Sequence, residues 1–130
     1  LRLAVGLADG GVIAMLNTEG KRGEQYADNF KYVNCNIGKP FSPERYEAAL
    51  LAMKDLRPAV GIVDSATHMH DGPGGLLEYH DAEVQRLAGN DTAKQLRVSN
   101  GSAWIKPKAA ENQAVCSRHC KLNLCMCCAS

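Results

Sequence analysis

The chain lacks both a long apolar run and a surplus of either charge. None of its apolar runs approaches the roughly 18 consecutive residues that a membrane-spanning helix needs, and residues 1–7 lack the apolar core and cleavage site of a signal peptide. Fifteen Lys and Arg against fourteen Asp and Glu leave a formal net charge of +1. This balance predicts no general attraction to nucleic acid or membranes, although it leaves a local patch open. Apolar residues make up 45% of the 130, the composition of one ordinary globular domain with a core.

Cysteine is scarce until the last stretch of the chain. Cys35 stands alone, and the other five of the six cysteines fall within residues 116–130. A secreted disulfide framework would distribute its cysteines through the fold, so a reducing, cytoplasmic compartment is predicted. We expect this Cys-rich tail to be disordered or translated out of frame. Its residue types also allow a zinc site, although their spacing matches no zinc module. The candidate ligands are Cys116, His119, Cys120, Cys125, and Cys127 or Cys128.

Two short apolar runs each end in residues that could carry chemistry. Residues 59–65 are typical of a buried parallel strand, and this run ends in Asp64 and Ser65. Residues 12–17 form a second strand candidate, soon followed by Glu19. In open α/β sheets the carboxyl ends of the strands border the ligand crevice, and a carboxylate there suits Mg²⁺, directly or through water. Asp64 is therefore a candidate magnesium ligand; the alternative is a strand that simply ends in an Asp–Ser turn.

The rest of the pattern alternates strand and helix. Residues 32–37 alternate weakly and predict a third strand. Ser42 as N-cap, with Pro43 at the first helical position, opens the clearest helix, which stops at Pro58 before the next strand. Strand, helix and strand with short connections predict an α/β fold with a mostly parallel sheet flanked by helices. Other helices are predicted before Gly10, at 24–30, at 76–87 and ending near 115, with a polar loop at 68–75 and an exposed, mobile segment at 88–99.

Five short motifs, in order and at similar spacing, resemble the AAA-family ATPases encoded by phages and prophages. They are NTEGKRG from residue 17, PFSPERY from 40, IVDSATH from 62, GPGGLL from 72 and WIKPK from 104. More broadly, residues 12–19 and 60–65, with their helix-rich spacer, resemble the RecA-like branch of P-loop ATPases. The match runs from residue 1 to about residue 114. It implies a RecA-like P-loop NTPase core, truncated at both ends, in residues 1–115, with residues 116–130 as a separate tail.

The resemblance implies a site and a function. Asp64 would be the Walker B carboxylate that holds Mg²⁺ through water, and Glu19 the base that orients and activates the attacking water. Ser65 and His68 would lie near the γ-phosphate as sensors. The implied activity is ATP hydrolysis in phage-type DNA recombination or replication, with ATP and Mg²⁺ as cofactors. The full-length parent would be a homo-oligomer in the host cytoplasm, away from membranes, with single-stranded DNA or DNA-bound recombination proteins as partners.

The sequence departs from this family at both ends. The phosphate-binding loop G-x-x-x-x-G-K-[ST] does not occur in the 130 residues. In the family it immediately precedes the helix that matches residues 1–9, so the beginning of the natural protein is expected to lie upstream of Leu1. Without the backbone N–H groups and lysine of that loop, we expect this fragment to bind ATP poorly and to be nearly inactive. Past residue 115 the family continues into another core strand, which the Cys-rich tail does not resemble.

Two other functions remain open. The chain could be a non-catalytic, truncated remnant, or a metal-dependent hydrolase whose ligands include His68, His70, Asp71 and His80. The plain alternative to the hydrolase is a flexible loop with solvated imidazoles. Trp104 is expected to pack rather than to stack on nucleic-acid bases. Lys106 and Lys108 receive no role. The residues predicted to form a solvated helix face are Glu78, His80, Asp81 and Glu83.

Overall fold

The chain folds around a small parallel β-sheet. The computed structural model describes residues 1–116 and 124–127, with side chains for residues 1–115. Within this part, four strands pair in the order β2-β1-β3-β4, and every pair is parallel. The strands are β1 (Ile13–Asn17), β2 (Val33–Asn36), β3 (Val60–Asp64) and β4 (Leu124–Cys127). The predicted α/β class, with a parallel sheet flanked by helices, is confirmed.

Helices connect and flank the strands. Those in the described part are α1 (Arg2–Ala8), α2 (Pro43–Asp55), α3 (Thr67–Asp71), α4 (Leu76–Ala88), α5 (Thr92–Ser99) and α6 (Ile105–Cys116), with 3₁₀ helices at Gly20–Tyr26 and Ser102–Trp104. Helix α2 begins at Pro43 as predicted, because the fixed φ of proline suits the first helical position. Over the same residues, no helix has the length and apolar character needed to cross a membrane.

The sheet buries apolar side chains on both faces, as expected for strands that are apolar along most of their length. The first face packs against α1, in a cluster formed by Ala4, Ala8, Ile13, Met15, Val60 and Ile62. The second face packs mainly against α2 and includes Leu16, Tyr46, Leu50, Met53, Val63 and Ala114. Because side chains alternate along a strand, Asn17 and Asp64 continue the α1 face at the carboxyl edge of the sheet.

Three segments differ from their predicted form. The polar loop predicted at residues 68–75 is helical in its first part, because α3 covers Thr67–Asp71. The helix predicted at residues 24–30 is instead the 3₁₀ helix Gly20–Tyr26, which begins immediately after β1 and its short turn. The segment 88–99, predicted to be exposed and mobile, contains α5. This helix is exposed, but it is capped by the Asp91 carboxylate, which accepts a hydrogen bond from the Lys94 N–H at 3.0 Å. The side-chain cap and the packing of α5 against α4 both support this helix.

The helix face of α4 that was predicted to be solvated is solvated only in part. Glu78 and Asp81 are exposed, whereas His80 and Glu83 are each only 7% exposed. The Glu83 carboxylate accepts hydrogen bonds from Arg86 at 2.8 Å and from Lys106 on α6 at 3.2 Å. The Arg86 hydrogen bond is the main cause that lowers the pKa of Glu83, and Lys106 acts in the same direction. A buried carboxylate with two cationic partners thus joins α4 to α6.

The Cys-rich tail is described only in part. The backbone of residues 124–127 forms β4 beside β3, with Cys127 opposite Asp64. Residues 117–123 and 128–130, and all side chains beyond residue 115, lie outside the described residues. The predictions of a disordered or out-of-frame tail and of a zinc site therefore stay predictions.

Candidate functional site

The carboxyl ends of β1 and β3 meet at one edge of the sheet. Asn17 and Asp64 are register partners, and the Thr18 N–H donates a hydrogen bond to the Asp64 carbonyl oxygen at 2.8 Å. Glu19 follows directly, half-buried at the start of the 3₁₀ helix Gly20–Tyr26. Glu19 and Asp64, which come from distant segments, therefore lie at the same edge.

Glu19 is held by an ion pair. Arg22 Nη1 donates to Glu19 Oε2 at 2.6 Å, and the two side chains are 65% and 20% exposed. The hydrogen bond that Arg22 donates to Glu19 is the main cause that raises the pKa of Arg22. The guanidinium is thus tied to the Glu19 carboxylate. Sequence reasoning missed Arg22, although its position three residues after Glu19 was an available signal.

Asp64 is half-buried in the wall of a cleft of about 840 Å³ on the α1 side of the sheet. Residues around the cleft include Arg2, Met15, Tyr26, Phe30 and Ile62. Polar and apolar groups line this cleft in similar measure, and its volume lies in the range of small-molecule sites. The Asp64 carboxylate is therefore accessible from a space large enough for a ligand.

Ser65 is only 1% exposed, and its polar groups are engaged inside the protein. Its N–H donates to Thr18 Oγ1 at 2.9 Å, and its Oγ accepts from the Thr67 N–H at 3.0 Å. Its carbonyl oxygen accepts from the Tyr46 hydroxyl at 2.8 Å, and the Asp64–Ser65 peptide bond is cis. These contacts fix the chain immediately after Asp64, so the structure gives Ser65 an anchoring position.

Tyr46 reaches this edge from α2. Its ring is 1% exposed, and burial raises the pKa of its hydroxyl to about 12, with hydrogen bonding to Thr18 opposing the rise. The neutral hydroxyl therefore persists over the physiological range and keeps donating to the Ser65 carbonyl.

His68 approaches the same edge from α3. Its Nδ1 lies 2.7 Å from Thr18 Oγ1, and its ring stacks on Phe41 with the ring centroids 4.9 Å apart. The imidazole is half-buried, whereas His70 and Asp71 on the same helix are exposed. Thr18 thus connects His68 to Ser65, and the helix after β3 is tied to the end of β1.

The residues proposed as metal ligands of the alternative hydrolase lie in different parts of the structure. His68 belongs to the Thr18 network, whereas His80 Nε2 lies 3.0 Å from the Ser99 carbonyl oxygen. Across the described residues, no group of three or more His, Cys, Asp or Glu side chains is arranged to hold a metal ion. The geometry therefore gives the hydrolase no assembled centre in this part of the chain.

Trp104 packs within the helical layer. The His80 ring stacks on it with the centroids 4.2 Å apart, and Lys108 Nζ lies 5.9 Å from the indole centroid. A side chain that already stacks in this way offers less aromatic surface to a nucleic-acid base. Lys106, which the sequence left without a role, binds Glu83.

The carboxylates at the edge fit a metal ion that arrives with a phosphate ligand. Mg²⁺ usually keeps several waters and binds through one or two carboxylates plus substrate phosphates, so a cleft-facing Asp64 is a sufficient protein ligand. Arg22 occupies only Oε2 of Glu19, so that within the described residues Oε1 remains available to orient a water. The edge thus combines a carboxylate suited to a metal ion (Asp64), a carboxylate suited to a water (Glu19) and the Arg22 guanidinium.

No family model, curated protein or solved structure matches this chain. Its function is therefore argued from the geometry of this edge together with the motifs in its sequence.

Proposed function

We propose that this chain carries the magnesium- and water-positioning edge of a RecA-like, phage-type ATPase that acts in DNA recombination or replication. One observation carries the proposal: Asn17 pairs with Asp64, so Glu19 and Asp64 follow neighbouring parallel strands to one edge beside a cleft. Five motifs in the order of the phage ATPases support the same function. The parallel α/β fold is observed, and its assignment to the RecA-like type is part of this proposal.

Each residue at the edge has a separate task in this proposal. Asp64 would hold Mg²⁺ through water, and Glu19 would orient the attacking water through Oε1 and accept its proton. Magnesium, when bound with the triphosphate, would neutralise the charge on the phosphoryl group. Arg22 limits the rotation of the Glu19 carboxylate by holding Oε2.

Sensing of the γ-phosphate is assigned to the residues that follow β3. His68 shares a hydrogen bond with Thr18, one position before Glu19, so a change at the edge would reach α3. Ser65 contributes through its backbone, whose N–H and carbonyl groups are bonded to Thr18 and Tyr46.

The proposal also needs a phosphate-binding loop, which the 130 residues do not contain. We expect the coding sequence ahead of Leu1 to encode G-x-x-x-x-G-K-[ST] in the same frame. A continuous reading frame without this loop would overturn the ATP assignment and favour the non-catalytic remnant.

The residue roles are tested by ATP hydrolysis with the product of the complete reading frame. Asp64→Asn and Glu19→Gln are each expected to lower kcat by about 100-fold or more, since one removes the metal-binding charge and the other the base. Matched controls are Asp71→Asn and Glu24→Gln, which change exposed carboxylates outside the edge. Wild-type turnover in either edge variant would remove the proposed function.

The DNA context has its own test. Single-stranded DNA is expected to raise the hydrolysis rate of the complete protein and to promote its homo-oligomer, measured by steady-state turnover and light scattering. Unchanged turnover and mass would remove the recombination role while leaving the ATPase assignment intact.

A further inference from the structure

Asn17 is the last residue of β1, and its side chain is completely buried. Its Oδ1 accepts a hydrogen bond from the Glu19 N–H at 2.9 Å. Its Nδ2 donates to the Gly20 carbonyl oxygen at 2.5 Å and to Asn36 Oδ1 at 2.8 Å. The amide therefore binds the residues that begin the turn and also the neighbouring strand β2.

The turn also packs directly on this amide. A Cβ added at Gly23 would collide with Asn17 Nδ2 and would lie 2.9 Å from both Asn17 Cγ and Met15 Cε. Such approaches are closer than side chains tolerate, so only glycine lets the 3₁₀ helix Gly20–Tyr26 sit this low over β1. The Tyr32 hydroxyl donates to the Gly23 carbonyl oxygen from the other side of the turn.

We propose that Asn17 is the positioning residue for Glu19. This inference rests on the proposed function, in which the Glu19 carboxylate must face the attacking water. A buried polar side chain is costly unless its hydrogen bonds are made, and the bonds of Asn17 are made to the backbone on each side of the Glu19–Gly20 peptide. Aspartate could accept from the Glu19 N–H but could not donate to Gly20, and serine is too short for both.

The position of the turn has a direct chemical consequence. Fixing the Glu19 backbone fixes the direction of its Cβ, and Arg22, in the same turn, then sets the carboxylate rotation. In the proposed function, ATP is anchored by the phosphate-binding loop, which these 130 residues do not contain. Loss of the Asn17 amide should therefore weaken the attack of water more than the binding of ATP.

The kinetic test uses the complete protein, with Asn17→Ala compared with Asn34→Ala. Asn34 lies on the same face of the neighbouring strand, opposite Met15, and among the residues that the structure describes its Oδ1 has no hydrogen-bond partner. Asn17→Ala is expected to lower kcat about tenfold while KM for ATP stays within about twofold of wild type. Asn34→Ala should leave both constants unchanged.

A second pair of variants keeps the test valid if Asn17→Ala does not fold. Gly23→Ala lifts the turn from the amide without changing Asn17 and should reproduce the fall in kcat. Gly6→Ala is its control, because Gly6 is exposed in α1 and a Cβ there meets no atom of the described residues within 4 Å. Wild-type kcat in a folded Asn17→Ala or Gly23→Ala variant overturns the inference.

Amide hydrogen exchange of the 130-residue chain separates this inference from the proposed function. The Glu19 amide is expected to exchange at least about fivefold faster in Asn17→Ala than in wild type, with core strand amides unchanged. If Glu19→Gln keeps full turnover, the proposed function fails. The exchange rate of the Glu19 amide then shows only whether Asn17 holds the turn. If Glu19→Gln is inactive but the Glu19 amide is equally protected in Asn17→Ala, only the positioning role fails.

Discussion

The Thr18 hydroxyl lies 2.7 Å from Nδ1 of His68, although the two residues are separated by 50 positions in the sequence. The same hydroxyl oxygen accepts the buried Ser65 N–H at 2.9 Å. One side chain at the end of β1 thereby fixes both the turn after β3 and the helix that follows. The edge that carries Glu19 and Asp64 is held together by polar contacts as well as by the apolar core.

Thr18→Val tests this connection. Valine has nearly the same shape but cannot accept a hydrogen bond, so the Ser65 N–H would remain buried without a partner. Such a loss typically costs about 1–3 kcal/mol, and we expect a decrease of that size in the free energy of unfolding, measured with urea and circular dichroism. Thr92→Val, at an exposed position, should stay within about 0.5 kcal/mol of wild type. Equal stability of the two variants would contradict the contact.

Tyr46→Phe tests the buried hydroxyl through pH. At pH 8 the variant loses the bond to the Ser65 carbonyl and should be less stable by about 0.5–1.5 kcal/mol. The folded pKa of about 12 lies above the ordinary value of 10.0, so the wild-type contribution is complete below pH 10 and is lost as pH rises towards 12. Two pKa units correspond to about 2–3 kcal/mol, so above about pH 11 the variant should become the more stable protein.

The measurement is chemical denaturation of both proteins from pH 8 to pH 11.5. A stability difference that stays constant over this range would show that Tyr46 ionises as readily in the folded chain as in the unfolded chain. Tyr26→Phe serves as the control at pH 8, because Tyr26 is 40% exposed and its substitution should change stability by less than about 0.5 kcal/mol.

His80→Ala tests the packing of Trp104, the only tryptophan in the chain. The substitution removes a ring stacked at 4.2 Å and the bond to the Ser99 carbonyl. We expect a stability loss of about 1–3 kcal/mol and a shift of tryptophan fluorescence to longer wavelength as water reaches the indole. His70→Ala changes an exposed histidine and should alter neither signal. Unchanged emission in His80→Ala would place Trp104 in a different environment.

Much of the central sheet could be predicted because its signals are local. The apolar runs at 12–17 and 59–65 and the weak alternation at 32–37 contain β1, β3 and β2 almost as observed. Pro43 marked the start of α2 because its backbone geometry is fixed by its own ring. The position of Glu19 and Asp64 at strand ends followed from the same runs.

Other features depend on partners far away in the sequence. A helix was predicted at 24–30, but the turn forms earlier, where Gly23 packs onto the Asn17 amide. Glu83 was predicted to be solvated, but in the structure it accepts a hydrogen bond from Lys106 on another helix. No pattern within α4 could reveal that contact.

The sequence by itself determined an α/β domain with acidic residues at strand ends. The reason is that the spacing of apolar residues and the backbone constraints of residues such as proline act over a few neighbouring positions. Only the tertiary structure decided which polar groups meet at the edge: Asn17 beneath the turn, Arg22 on Glu19, and Thr18 between Ser65 and His68. The physical reason is that a buried hydrogen bond needs both its donor and its acceptor in place, and here the fold brings several of these partners together from distant parts of the chain.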